Sequence, residues 1–332
     1  MSKFETIDIH AHFYPECYMR LIEAEGAEHG VSCSYDDPGG PVLDVGGVKS
    51  PPLESRYINI DDRVASMDEM GVDVHCLSLT QPMLYWAPPD LSQRLSMAYN
   101  DACVEAHEAY PDRILGLAIL PMQEPEMALK ELERVKSLPG IRGVYMATRV
   151  LDMELSDPSF FPVYEAIEDL GMTIFLHPIK VVDPSRLKQF YLTNFIGNPT
   201  ESAIAASHLI FGEVLDRFPQ LTFCLPHAGG TFPWLIGRIT HGWGVRPECK
   251  HLKTAPWEYI RRFYYDTITH AHPQLDFLID LVGADRVVLG SDFCYDMSYE
   301  QPVQFVKDHK GLSDADKDLI LGGTSAKLLG LF

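Results

Sequence analysis

The sequence predicts an α/β protein: a closed (β/α)8 barrel, with eight parallel strands inside and helices outside. Eight short runs of apolar and β-branched residues alternate with amphipathic stretches along the chain. Histidines or an aspartate end the first, fifth, sixth and eighth of these runs. The carboxyl ends of strands converge in a barrel but lie far apart in an open sheet, so this distribution favours the barrel. A doubly wound open sheet is the alternative, but no Gly-x-Gly-x-x-Gly follows the first run.

The predicted strands and helices follow one another in strict alternation. The strands cover residues 5–10, 72–79, 113–121, 141–146, 172–177, 221–226, 263–268 and 286–291. The helical patterns cover residues 61–70, 91–109, 125–136, 159–169, 199–217 and 274–282. A chain of 332 residues, 46% of them hydrophobic, has enough apolar material for one large core. We expect a single domain over residues 1–332.

Two irregular insertions interrupt the alternation. One covers about residues 13–58, is rich in Gly, Pro and Asp, and follows the first strand. The other covers about residues 179–198 and follows the fifth strand. Both leave the barrel at the face where the active sites of such folds are built. We therefore expect them to cover a substrate or to contact another subunit.

Composition excludes several classes of partner. The 27 basic and 47 acidic residues give a net charge of −20, which disfavours binding to nucleic acid or to an anionic membrane surface. An anionic small molecule is still allowed, because a few arginines can dominate the field inside a cleft. The seven cysteines include no Cys-x-x-Cys pair, and no segment approaches the length of an apolar membrane span. We expect a protein of the reducing cytoplasm.

The residues at the strand ends suggest a metal site. His10 and His12 leave the same face of the first strand, and His177, His227 and Asp292 end the fifth, sixth and eighth strands. Three neutral imidazoles and one carboxylate suit one divalent cation, zinc first and manganese or iron next. A further histidine beside the cation could carry a proton. A second pair, His270-Ala271-His272, runs directly into a proline and a predicted helix, and we interpret it as incidental.

Four other residues are candidates for substrate contacts. Arg238 and Arg246 follow His227 closely, and a guanidinium can clamp a carboxylate with two hydrogen bonds. The alternative is that both arginines are ordinary solvated residues. Trp86 and Tyr191 could stack on a planar substrate, although a role as ordinary core aromatics explains them equally well.

Several motifs together resemble a known family. The segments IDIHAHFYP, FLHP, PHAGGTFPWLIGR and LGSDF resemble, in order and spacing, the amidohydrolase superfamily and within it the 2-amino-3-carboxymuconate-6-semialdehyde (ACMS) decarboxylase branch. This resemblance implies a metal held by His10, His12, His177 and Asp292, with His227 as the acid/base histidine. It also implies no organic cofactor, and a homodimer in which Arg238 enters the neighbouring active site.

The chain departs from the branch at two places. The position of a substrate-binding arginine in the loop after the first strand falls near Ser50 and Pro51, with only Lys49 and Arg56 close by. After Asp292 the chain reads Phe293-Cys294-Tyr295-Asp296 where the branch has a proline-containing run. The fourth strand, in RGVYMATR, offers no lysine to bridge two metals, so we expect one ion.

The function predicted is therefore metal-dependent, non-oxidative decarboxylation of a planar unsaturated or hydroxyaromatic carboxylic acid. One alternative is a hydrolase or hydratase that uses the same metal-bound hydroxide on a ring or alkene. Another is an inactive relative that only binds its ligand and metal.

Overall fold

Eight parallel strands form the barrel in a computed structural model that describes residues 4–331. They are β1 (Ile7–His12), β2 (Val74–Ser78), β3 (Ile114–Ile119), β4 (Ile141–Ala147), β5 (Thr173–His177), β6 (Thr222–Leu225), β7 (Phe263–Asp266) and β8 (Val287–Val288). Neighbours in the chain are neighbours in the sheet. The last gap closes through backbone hydrogen bonds of 3.0 Å from Ile9 N to Leu289 O and from Asp292 N to His10 O. The predicted barrel and its eight strands are confirmed.

Helices lie between the strands and after the last of them. They are α1 (Glu16–Glu25), α2 (Ile60–Met70), α3 (Pro89–Ala109), α4 (Pro125–Val135), α5 (Phe161–Asp169), α6 (Asn198–Phe211), α7 (Val214–Arg217), α8 (Phe232–Val245), α9 (His272–Val282), α10 (Pro302–Lys307), α11 (Asp314–Asp318) and α12 (Thr324–Leu328). The single helix expected over 199–217 is divided, because Glu213 adopts a left-handed conformation with φ of 56°. None of the helices among residues 4–331 has the length and apolar character needed to cross a membrane.

The first insertion is more regular than expected. It contains α1 and three short antiparallel strands, Val31–Ser34, Val42–Val45 and Val48–Lys49. Val45 and Val48 pair across a hairpin whose two central residues, Gly46 and Gly47, have φ of 60° and 87°. Glycine adopts such angles without strain, and this pair is a typical tight hairpin turn.

The second insertion contains only short turns. A 3-10 turn covers Pro184–Arg186, and a π-helical turn over Thr193–Gly197 leads directly into α6. Its apolar side chains are unusually open to solvent: Phe190 is 80% exposed and Ile196 is 53% exposed. On the neighbouring α8, Trp234 is 76% exposed. An exposed apolar surface of this kind marks a binding or interaction region.

Candidate metal centre and active site

Five side chains meet at the carboxyl end of the barrel. The strands carry them there: His10 and His12 from β1, His177 from the end of β5, and His227 and Asp292 from just after β6 and β8. The Asp292 Oδ1 atom lies 2.9 Å from His12 Nε2 and 3.3 Å from His10 Nε2, and Oδ2 lies 3.8 Å from His227 Nε2. The His177 ring centre is 4.9–5.3 Å from those of the other three histidines. The convergence expected from the strand ends is therefore present.

The geometry brings His227 as close to the centre as the other histidines. One possible ligand atom from each of His10, His177, His227 and Asp292 lies within 4.8 Å of the others. His12 instead lies against the Asp292 carboxylate. The division of roles, with His12 as a ligand and His227 as the acid/base group, stays a prediction.

Hydrogen bonds orient three of the imidazoles with Nε2 toward the centre. His10 Nδ1 bonds to Asp266 at 2.8 Å, His12 Nδ1 to Ser78 at 3.1 Å, and His177 Nδ1 to Thr80 at 3.1 Å. Partners of this kind fix the tautomer of metal-binding histidines. Among residues 4–331, His10 Nε2 is buried and has no hydrogen-bond partner. A divalent cation would satisfy this atom, so the side chains fit the metal that the sequence predicts.

The charges at the centre also favour a cation. Burial lowers the pKa of His10, but the hydrogen bond to Asp266 and the negative charges of Asp266 and Asp292 outweigh it and raise that pKa to about 10. Burial lowers the pKa of His12 to about 4. Burial raises the pKa of Asp292, yet the hydrogen bond from His12 and the positive charge of His10 hold it well below its usual range. Two ionised carboxylates thus flank His10, and a proton or a metal ion must balance them.

Asp266, at the end of β7, is a site residue that the sequence reasoning missed. It is fully buried, and its carboxylate accepts hydrogen bonds from His10 Nδ1 and from the backbone N–H groups of His227, Ala228 and Ile268. It therefore holds one expected ligand and the expected acid/base histidine together. The signal was available in FYYDTI, where a lone aspartate ends an apolar run as Asp292 does.

The backbone at the site is strained at several positions. His227, Ala228 and Asp292 have φ of 51°, 57° and 62°. Residues other than glycine seldom adopt this left-handed conformation, and such residues cluster at functional sites. The strain turns the His227 and Asp292 side chains toward the barrel axis.

A cavity of about 420 Å³ opens beside the centre, and His227 and Asp292 line it. Its walls include Phe195 from the second insertion, Trp234 from α8 and Phe277 from α9. The Trp234 and Phe277 rings are 5.5 Å apart. No lysine or arginine occurs among its lining residues within the described part of the chain. The cavity suits a planar, largely apolar molecule of modest size.

The structure does not bring the four expected substrate contacts into this cavity of the same chain. Arg238 is exposed on α8, and Arg246 is exposed after α8 and pairs with Glu248 at 2.8 Å. Trp86 is half-buried, and its indole N–H donates to Met83 O.

Tyr191 lies at the edge of a second cavity, of about 820 Å³, which Lys49 and Arg56 also line. Its hydroxyl bonds to Asp296 at 3.2 Å. Lys49 and Arg56, which lie near the position where the branch has a loop arginine, therefore line this second cavity and not the one at the metal centre. A role for Tyr191 at the substrate stays a prediction.

Comparisons with known proteins agree with the fold. The model of the amidohydrolase family matches residues 7–331. The 2-amino-3-carboxymuconate-6-semialdehyde decarboxylase of Dictyostelium discoideum is 34% identical over 98% of this chain and 91% of its own length.

Solved structures are similar over nearly the whole chain. The 5-carboxyvanillate decarboxylase of Sphingomonas paucimobilis has a TM-score of 0.85 at 26% identity, covering 99% of this chain and 100% of its own. A dihydroxybenzoic acid decarboxylase of Polaromonas, solved with bound manganese and the inhibitor 2-nitroresorcinol, has a TM-score of 0.80 at 24% identity, with 99% and 97% covered.

Proposed function

The chain belongs to the amidohydrolase family, and from this premise we propose that it is a metal-dependent decarboxylase. Its substrate is a planar unsaturated or hydroxyaromatic carboxylic acid, as in the relatives described above. The observation that carries the proposal is the meeting of four histidines and Asp292 beneath an apolar cavity. No organic cofactor is needed for the chemistry that follows.

We assign one divalent ion to His10, His12, His177 and Asp292. The donor set suits zinc, and the manganese in the Polaromonas structure makes Mn²⁺ an equal candidate. When bound, such an ion supplies a Lewis acid that attracts substrate oxygens and disperses negative charge. Asp266, Ser78 and Thr80 hold the imidazoles in the orientation this requires.

His227 is the proposed proton donor to carbon. Loss of CO₂ breaks a carbon–carbon bond and leaves its electron pair on the substrate carbon, which must take up one proton. His227 faces the cavity, and its side chain is 15% exposed, so solvent can restore the proton after each turnover. Asp292, 3.8 Å from His227 Nε2, stabilises the protonated imidazole.

A second copy of the chain supplies Arg238 in this proposal. The substrate is an anion, yet the described lining of the cavity beside the metal centre contains no cation. Arg238 is exposed on α8, the helix that also exposes Trp234 and Val245. A homodimer formed through this face would bury the apolar side chains and bring a guanidinium to the neighbouring site. We further propose a cytoplasmic location, because all seven cysteines are free thiols.

The activity is tested with protein loaded with Mn²⁺ or Zn²⁺ and offered ACMS, 2,6-dihydroxybenzoate and 5-carboxyvanillate. We expect CO₂ release from at least one of these acids and, in heavy water, one solvent deuteron on the product carbon. The His227→Asn variant serves as the inactive control. A product that retains its carboxylate and has gained water would instead support the hydrolase or hydratase.

The shared site is tested by mixing two inactive variants, Arg238→Ala and His227→Asn. A mixed dimer has one site with both an intact His227 and a donated Arg238, so we expect up to about a quarter of wild-type activity to return. This value assumes random subunit exchange, in which half the dimers are mixed and each has one working site of two. If the subunits exchange and the mixture stays inactive, Arg238 does not act across the interface.

A further inference from the structure

His270 stands at the mouth of the active-site cavity. The segment after β7 leads there from the barrel floor: Asp266 is 0% exposed, Ile268 is 4% exposed, and His270 is exposed. His270 lines the same cavity as His227 and Asp292. Asp292 is 6% exposed whereas His270 is exposed, so we place His270 on the solvent side of a molecule bound over the metal centre.

The backbone at His270 resembles that of two proposed site residues. Its φ is 59°, close to the 51° of His227 and the 62° of Asp292. A histidine in this conformation is strained, and the strain persists only when the surroundings fix it. The His270 ring stacks on Tyr299 with centres 5.3 Å apart and planes 30° apart. Tyr299 in turn packs on Phe305 at 4.7 Å, so the imidazole has a rigid support.

The neighbouring His272 differs in its hydrogen bond, its ring contacts and its absence from the cavity lining. Its Nε2 bonds to Phe305 O at 2.9 Å, and its ring lies 4.6 Å from those of Phe305 and His309. It does not line the cavity. The sequence pair His270-Ala271-His272 therefore divides into one residue that faces the cavity and one that fastens α9 to α10.

Its surroundings keep His270 able to give or accept a hydrogen bond. Burial lowers the pKa of His270 below its usual value. The nearby His227 acts in the same direction, and Asp292 and Asp266 only partly oppose it. A neutral imidazole has one donor and one acceptor nitrogen. Gln274, on the first turns of α9, lines the cavity beside it.

We propose that His270 is a specificity-determining residue: it hydrogen-bonds a second polar group of the substrate, at the end away from the carboxylate that is lost. The preferred acids then carry a hydroxyl or similar group there. This inference rests on the proposed function, since that function places the reacting carboxylate at the metal centre.

The test compares two acids that differ only at that end. We would measure binding of 2-hydroxybenzoate and 2,4-dihydroxybenzoate to the Mn²⁺-loaded protein by calorimetry; the second has a hydroxyl opposite its carboxylate. The wild type should bind 2,4-dihydroxybenzoate roughly three- to tenfold more tightly, the factor expected for one neutral hydrogen bond. His270→Gly, which accepts the positive φ without strain, should abolish this preference.

Three controls separate specificity from damage. His270→Gly should keep its manganese and its affinity for 2-hydroxybenzoate within about twofold, a change smaller than the roughly threefold to tenfold preference under test. His270→Asn, which also tolerates positive φ but has a shorter side chain, should lose the preference as well. His272→Gln should retain it.

Equal binding of the two acids by the wild type, or a preference that survives in both His270 variants, would overturn the inference. Loss of manganese from both His270 variants would also overturn it, because His270 would then belong to the metal site. Any of these results contradicts only the role of His270; the proposed function is still supported if the protein releases CO₂ from one of its substrates. Binding without any CO₂ release contradicts the proposed function instead.

Discussion

Replacing Asp266 by asparagine tests the residue that contacts both His10, a proposed metal ligand, and His227, the proposed proton donor. Asp266 Oδ2 accepts from His10 Nδ1 at 2.8 Å and from His227 N at 2.9 Å. Oδ1 accepts from Ala228 N at 2.7 Å and from Ile268 N at 3.1 Å. Asparagine has the same shape but only one acceptor oxygen, so two of the four donors then face an NH₂ group.

The size of the effect follows from these contacts. A donor left without an acceptor costs about 1–3 kcal/mol, and at least one donor loses its acceptor in either orientation of the amide, so the free energy of unfolding should fall by at least about 1 kcal/mol. The new NH₂ group also favours the His10 tautomer that accepts at Nδ1 and carries its proton on Nε2, the atom meant for the metal. Changes to such orienting carboxylates typically weaken metal binding about 10–100-fold.

Urea unfolding of the metal-free protein would measure the first effect, and calorimetric titration with Mn²⁺ the second. Asp285→Asn is the matched control, because Asp285 is 49% exposed and pairs with Arg261 at the surface. That variant should change the free energy of unfolding by no more than about 0.5 kcal/mol. If Asp266→Asn binds Mn²⁺ as tightly as the wild type, Asp266 does not orient a metal ligand.

Three further predictions follow from the site and its supports. His227→Asn, which tolerates the φ of 51° at this position, should retain the metal but lower kcat by about 100-fold or more; joint loss of metal and activity would make His227 a ligand. Gly230→Ala should destabilise the protein by at least about 2 kcal/mol in urea unfolding, because φ is 59° and the new Cβ would lie 2.2 Å from Pro199 O. Gly237→Ala on α8, where a Cβ meets nothing within 4 Å, should be neutral or stabilising. Mn²⁺ at about 100 times its Kd should add about 2.7 kcal/mol to the free energy of unfolding, and an unchanged urea midpoint would contradict a metal site.

The sequence predicts the barrel and the meeting of these side chains at one end of it, because both depend on hydrophobic period and on position at a strand end. Each of His10, His177 and Asp292 ends an apolar run, and in a barrel all such ends face the same axis. Asp266 obeys the same rule, but no second feature of the sequence distinguished it from an ordinary polar residue at a strand end. Its role depends on the His10 and His227 contacts, which appear only in three dimensions.

Other features could not be predicted because they depend on long-range contacts. The three short strands of the first insertion, Val31–Ser34 among them, are too brief and too mixed in polarity to give a clear period. The chemistry of Arg238 and Tyr191 predicts substrate contacts, but the folded chain places both outside the cavity at the metal centre. For Arg238, the decisive contacts in our proposal belong to a second chain.

The second insertion has a further consequence, for how enzymes of this design can diverge. Residues 179–198 are anchored at one end by β5 and at the other by α6, and they contribute Phe195 to the cavity without touching the hydrogen bonds that orient His10 and His12. The length and the side chains of this segment can therefore change in evolution without altering the metal centre. We expect a graft of this loop between related barrels to change which acids they accept, while the metal ligands of the recipient barrel still carry out the reaction.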